Sequence, residues 1–123
     1  MDQIQSYRDL RIWQKGMALV TEVYALLRKY PVSEQYGLVR QTQRSAVSIP
    51  GNIAEGYRRH STSDDVRFLR ISRGSLYELQ TQVEIAANLK YIPRKDFETI
   101  HVASNEIAKM LSVLIKKIKS SKT

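Results

Sequence analysis

Four long stretches of this chain place apolar residues three and four apart, and three short breaks separate them. That period is helical, and no stretch alternates with period two, so strand content should be near zero. The first helix is expected over residues 9–30, with Leu10, Trp13, Met17, Val20, Tyr24 and Leu27 as its seam and Pro31 as its end. The second is expected over 34–58, with Ser33 capping its first turn. Ser61, Thr62, Ser63 and Asp64 offer caps for a third over 64–90. Tyr91-Ile-Pro93 breaks the chain before a fourth over 96–119, whose seam is Phe97, Ile100, Ser104, Ile107, Leu111, Leu114 and Ile118. Helices roughly 33 to 40 Å long with short links predict an all-α, antiparallel, up-down-up-down four-helix bundle. A single domain over 1–123 is expected, with 1–6 and 120–123 flexible.

Such a chain buries about 65% of its unfolded surface, enough for a core without staples. It has 123 residues and no Cys, which excludes a disulfide framework and thiolate metal sites and fits a reducing cytoplasm. Arg8, Asp9 and Arg11 interrupt any apolar run at the start, so no secretory signal is read. Apolar runs all fall well short of a membrane span. Lys and Arg number 20 against 12 Asp and Glu, a net charge of +8. That excess predicts nucleic acid or an acidic partner. The plainer alternative is a helical protein whose outer faces use Lys and Arg.

The second helix carries Pro50 and Gly51 in mid-element. Its inner face reads Leu38, Thr42, Ser45, Ala46, Ile49, Ile53 and Gly56, mostly small, so a neighbour can approach closely; Arg40, Arg44, Glu55 and Arg58 lie opposite. Pro50 should kink the helix and leave the Ala46 carbonyl without a donor, at roughly 3 kcal/mol. Two readings stand: a bend around the neighbours, or a polar site or oligomer contact at Ser48 and Asn52. The third helix has two apolar stripes. Leu69, Ser72, Ser75, Leu76, Leu79, Val83 and Ala86 make the core face, while Ile71, Ile85 and Leu89, with Glu78 among them, make a second. A second stripe predicts burial against another subunit or a wide core face. Gly74, about 1 kcal/mol worse than Ala in a helix, predicts a close backbone approach.

Catalytic and metal chemistry find little support. The two His, His60 and His101, form no Glu-x-x-His pair, and inward positions are apolar or small, so neither metal nor cofactor is expected. No G-x-S-x-G elbow or glycine-rich phosphate loop occurs. Glu55 and Glu78 are candidates for a carboxylate pair at the kink with Asn52, but pairing with Arg44 and Arg59 explains them more simply. The cations are more informative. Arg58, Arg59 and His60 end the second helix; Arg67, Arg70 and Arg73 extend along the third, outward near Tyr77; Lys109, Lys116, Lys117 and Lys119 follow on the fourth. Exposed mobile cations suit phosphate contacts, and Tyr57 and Tyr77 suit base stacking. No base-reading motif is present, so binding should be weakly specific. The last lysines also complement a helix C-terminus. The fourth helix is amphipathic, but its apolar stripe has a use in the core, so no membrane contact is expected.

Tyr7-Arg-Asp-Leu, Trp13-Gln-Lys, Tyr24, Pro31, Glu34, Tyr36-Gly-Leu and Gln41, then Arg44-Ser-Ala-Val-Ser-Ile-Pro-Gly-Asn-Ile-Ala-Glu-Gly56 with Arg59, then Phe68-Leu, Gly74-Ser-Leu-Tyr-Glu-Leu-Gln and Gln82 resemble one family. It is the four helix bundle protein family, also called the 23S rRNA intervening-sequence protein family. The resemblance covers about Tyr7 to Ile118 and implies an antiparallel bundle assembled into a homopentameric ring. It also implies a distant relationship to accessory proteins of diversity-generating retroelements, which bind a reverse transcriptase and nucleic acid. The family brings no catalytic residues. Ser72 and Gly51 stand where Ala and Ser are more usual. The expectation is a non-enzymatic, ring-forming protein that binds structured RNA or DNA. The alternative is a module that docks on a reverse transcriptase or another protein; an enzyme centred on Asn52, Glu55 and Glu78 comes third.

Overall fold

The computed structural model describes residues 4–59 and 62–120. Four α-helices dominate: α1 (Arg11–Leu27), α2 (Leu38–Arg59), α3 (Thr62–Asn88) and α4 (Arg94–Ser120), with short 3-10 turns at Tyr7–Asp9 and Val32–Glu34. Among the described residues there is no strand. Each helix packs on the next in sequence and α1 packs on α4, so one core lies inside a four-helix bundle.

α1 is shorter at both ends than its periodicity predicts. Asp9 belongs to the preceding turn, where it forms a capping box with Ser6. Its carboxylate accepts from the Gln5 and Ser6 amides at 2.9 and 3.2 Å. Leu10 is extended, and α1 starts after it. At the other end the Arg28, Lys29 and Tyr30 amides donate three residues back, tightening the chain before Pro31.

The buried face of α1 also differs from the predicted seam. Ile12, Gly16, Leu19, Val23, Leu26 and Leu27 are buried, while Met17 and Tyr24 are exposed and Leu10, Trp13 and Val20 only half-buried. Both stripes have helical spacing. The one containing Gly16 faces inward because a Cβ there would lie 3.5 Å from Pro50 Cβ, so the missing side chain lets α2 come close.

α2 buries Thr42, Ser45, Ala46, Ile49, Ile53 and Gly56, as its wheel predicts, and runs unbroken through Pro50. Its start is capped differently from expectation. Ser33 lies in the 3-10 turn, and the Glu34 carboxylate accepts from Leu38 N at 3.1 Å and from Tyr91 Oη at 2.7 Å. The Tyr91 hydroxyl, then the Leu38 amide, holds the Glu34 carboxyl below its usual range. Beside this pair, burial pushes the Tyr30 hydroxyl up to about 12.

α3 buries the predicted core face, and its second stripe is exposed. Of its expected caps, Ser61 lies outside the described residues. α4 buries Phe97, Ile100, Ser104, Ile107, Ala108, Leu111 and Ile115; Leu114 and Ile118 are only half-buried. Ser120 closes α4, and 121–123 lie outside the described residues. Buried hydroxyls find partners: Thr42 donates to Leu38 O at 2.7 Å, Ser72 to Ile49 O at 2.8 Å and Ser104 to His101 O at 3.0 Å.

Lys90 ends α3 with φ 69, and the Tyr91 and Lys90 amides donate to Ala86 O and Ala87 O at 2.9 and 3.0 Å. This is a Schellman closure with a lysine where glycine is unstrained. Lys90→Gly is expected to stabilise the fold by about 0.5–1 kcal/mol, read as a melting temperature a few degrees higher. An unchanged or lower value contradicts it.

Candidate nucleic-acid interface

The Arg44–Gly56 motif knits helices together. Ser48 Oγ lies 2.7 Å from Ser75 Oγ on α3, and Asn52 Nδ2 donates to Ser48 O at 2.8 Å and Ser48 Oγ at 2.9 Å. Pro50 faces α1, and a Cβ at Gly56 would lie 3.3 Å from both Asp65 O and Phe68 Cβ of α3. Ser48, Pro50, Asn52, Gly56 and Ser75 therefore hold α2 in place, and Ser48 and Asn52 spend their polar atoms inside the chain.

The candidate carboxylate pair does not form. Ser48 opposite Ser75 sets an antiparallel register in which Glu55 and Glu78 lie about ten residues, roughly 15 Å, apart along the seam. Nor does Arg44 pair with Glu78. Both are exposed, with no ion-pair partner among the described residues. Glu55 is half-buried, and the Arg58 and Arg59 side chains and His60 lie outside the described residues. His101 is half-buried, and its Nε2 is 3.1 Å from Asn105 Nδ2. Among the described residues no three His, Cys, Asp or Glu cluster as a metal site needs.

The cations divide. Arg73 is half-buried and donates to Ser112 Oγ of α4 at 3.0 Å, so it ties α3 to α4 instead of facing outward. Its long stem lets the guanidinium reach across the interface from a position that the wheel places outside. Arg67 and Arg70 are exposed; Arg67 lies 3.9 Å from Asp64 Oδ1 and 4.4 Å from the Phe68 ring centroid. Lys109, Lys116, Lys117 and Lys119 are exposed. Neither they nor Arg70 has a carboxylate at ion-pair distance among the described residues.

The Arg73–Ser112 bond fixes the rotation of α4 against α3. Lys109 and Lys116 stand three before and four after Ser112, on the same side of α4. Arg70 stands one turn before Arg73 and exposed Tyr77 one turn after. A strip of Arg70, Lys109, Lys116 and Lys119 with Tyr77 thus follows the outer α3–α4 seam. Tyr57 is elsewhere: it lines an apolar hollow of about 390 Å³ at the end of the bundle with Leu10, Ile53, Leu69 and Leu114. Sequence reasoning missed Ser112 and the Gln80 amide, which donates to Ser104 Oγ and Asn105 Oδ1 at 2.8 Å each. Their polar character on helical spacing was the available signal.

Residues 8–113 match the 23S rRNA-intervening sequence protein family. The chain belongs to that family. A solved structure with the same arrangement of helices is a protein of unknown function from the S23 ribosomal protein family of Bacteroides thetaiotaomicron. Its TM-score is 0.78 at 29% identity, over 85% of this chain and 98% of that one. No curated protein matches this chain. The family match spans the polar seam and, of the cationic strip, Arg70 and Lys109 but not Lys116 or Lys119. Among the described residues, this family member has no helix long and apolar enough to cross a membrane.

Proposed function

We propose that this chain is a non-enzymatic, ring-forming cytoplasmic protein that binds structured RNA or DNA with little sequence specificity. The observation that carries the reading is the run of exposed cations along the α3–α4 seam that have no carboxylate at ion-pair distance among the described residues. Like charges held on rigid helices raise the local potential, attract a phosphate backbone and release its counterions when it binds. Tyr77 beside them offers a face for an unstacked base. A homopentameric ring, as the family resemblance implies, repeats the strip around a circle and multiplies its affinity.

A labelled RNA hairpin titrated over a salt series tests the reading. Binding should weaken steeply, with log K falling linearly against log salt at about −0.9 per phosphate contacted on duplex. A flat salt response contradicts it. A second reading, a docking module for a protein such as a reverse transcriptase, draws support from Arg44 and Glu78, which have no ion-pair partner among the described residues, and from exposed Ile71 and Ile85. It predicts a tight protein complex and little affinity for the naked hairpin.

A further inference from the structure

The apolar hollow of about 390 Å³ lies where the start of α1, the end of α2, the start of α3 and the end of α4 come together. Ile53 and Leu69 are buried and form its floor, while Leu10, Tyr57, Leu114 and Ile118 are half-buried and form its walls. The hollow accounts for Leu114 and Ile118, which hold seam positions of α4 yet stop short of full burial. Gly56 lines it as well and brings no side chain to fill it. Asp65 supplies its one charged group and already interacts within the chain.

Cations adjoin these walls. Lys117 stands three residues after Leu114, on the same side of α4, and Arg70 follows Leu69 directly on α3. Asp64, at the same end, lies 3.9 Å from Arg67, whereas Arg70, Lys116, Lys117 and Lys119 have no carboxylate at ion-pair distance among the described residues. Three of these four belong to the cationic strip, so strip and hollow meet at one end of the bundle. Resting on the nucleic-acid reading above, we infer that the hollow takes one unpaired base of the strand whose phosphates lie on the strip. Size and chemistry select this occupant. Ligand pockets span about 300–1,000 Å³, and this one sits at the small end, with room for a ring system. The Tyr57 ring offers a flat face on which a base stacks. Asp65 disfavours a wholly aliphatic occupant, because methylenes leave its acceptors unmet. A carboxylate has about four acceptor sites, so it can take a base amino group besides its contact within the chain. An unpaired base enters at the least cost, since no pair is broken first.

The test gives the full chain two labelled RNA hairpins that differ only in one adenosine bulged from the stem. The wild type should bind the bulged hairpin roughly tenfold more tightly than the paired one, the effect of one stacked base. Ile118→Trp fills the hollow from α4 and Leu10→Trp from the start of α1, and circular dichroism checks that each variant folds. Each should erase the preference while leaving the affinity for the paired hairpin, and its salt slope, as in the wild type. Equal wild-type affinity for both hairpins, or a preference that survives in a folded filled variant, overturns the inference. Decanoate probes an aliphatic occupant: it should leave the preference intact, and a preference lost to decanoate assigns the hollow to an alkyl chain and overturns the base. A wild type that binds neither hairpin overturns the nucleic-acid reading, and this inference with it, which separates the two failures.

Discussion

Leu76→Ala is expected to destabilise the bundle by about 2–5 kcal/mol. Leu76 is 0% exposed on the core face of α3. Much of that core is made of short side chains, Thr42, Ser45 and Ala46 on α2 and Ser72 and Ser75 on α3. Short side chains let the helix backbones come close, but they cannot swing into a space left by a missing isobutyl group. The cavity should therefore stay open, placing the loss toward the upper part of the range. Chemical denaturation at fixed protein concentration measures it, since the proposed assembly would make apparent stability concentration-dependent. Val102→Ala, at a strongly exposed position of α4, should stay within about 0.5 kcal/mol. A loss below about 1 kcal/mol at Leu76 contradicts the packing described for α3.

Reversing Arg70, Lys109 and Lys116 to Glu is expected to lower RNA affinity roughly a few hundredfold at 0.1 M salt and to reduce the salt slope by about 3. Three lost phosphate contacts account for both figures, because each contributes about one unit of slope. Stability should change little, as all three side chains are exposed without acidic partners among the described residues. Arg73→Ala should do the reverse. Losing the bond to Ser112 is expected to cost about 1 kcal/mol of stability while leaving the slope nearly unchanged. Equal slopes for the wild type and the triple variant contradict the proposed strip.

The inner face of α2 was legible in the sequence because it offers one set of small and apolar residues on one arc with charges opposite, and that of α3 because its core stripe is longer than its second. The breaks were legible because Pro31 and Pro93 disfavour helix at the preceding residue and no long apolar periodicity runs through them. α1 was not, because two stripes at helical spacing lie side by side on it, and only the contact of Gly16 with Pro50 decides between them. Capping was misjudged at Ser33 because Glu34, one residue on, reaches the Leu38 amide and is held there by Tyr91 from a distant loop. Arg73 was misplaced for a related reason: a helical wheel locates Cα, whereas a long side chain chooses its partner in three dimensions. The second stripe of α3 was visible from spacing alone, and the open space at Gly74 was not, since it depends on which neighbours are absent.

The most direct measurement is solution mass by light scattering, with and without a structured RNA hairpin, across a salt series. The account predicts a ring of about five subunits at every salt, and added RNA mass that disappears steeply as salt rises. A ring that ignores RNA at low salt, or RNA mass that persists at high salt, contradicts it.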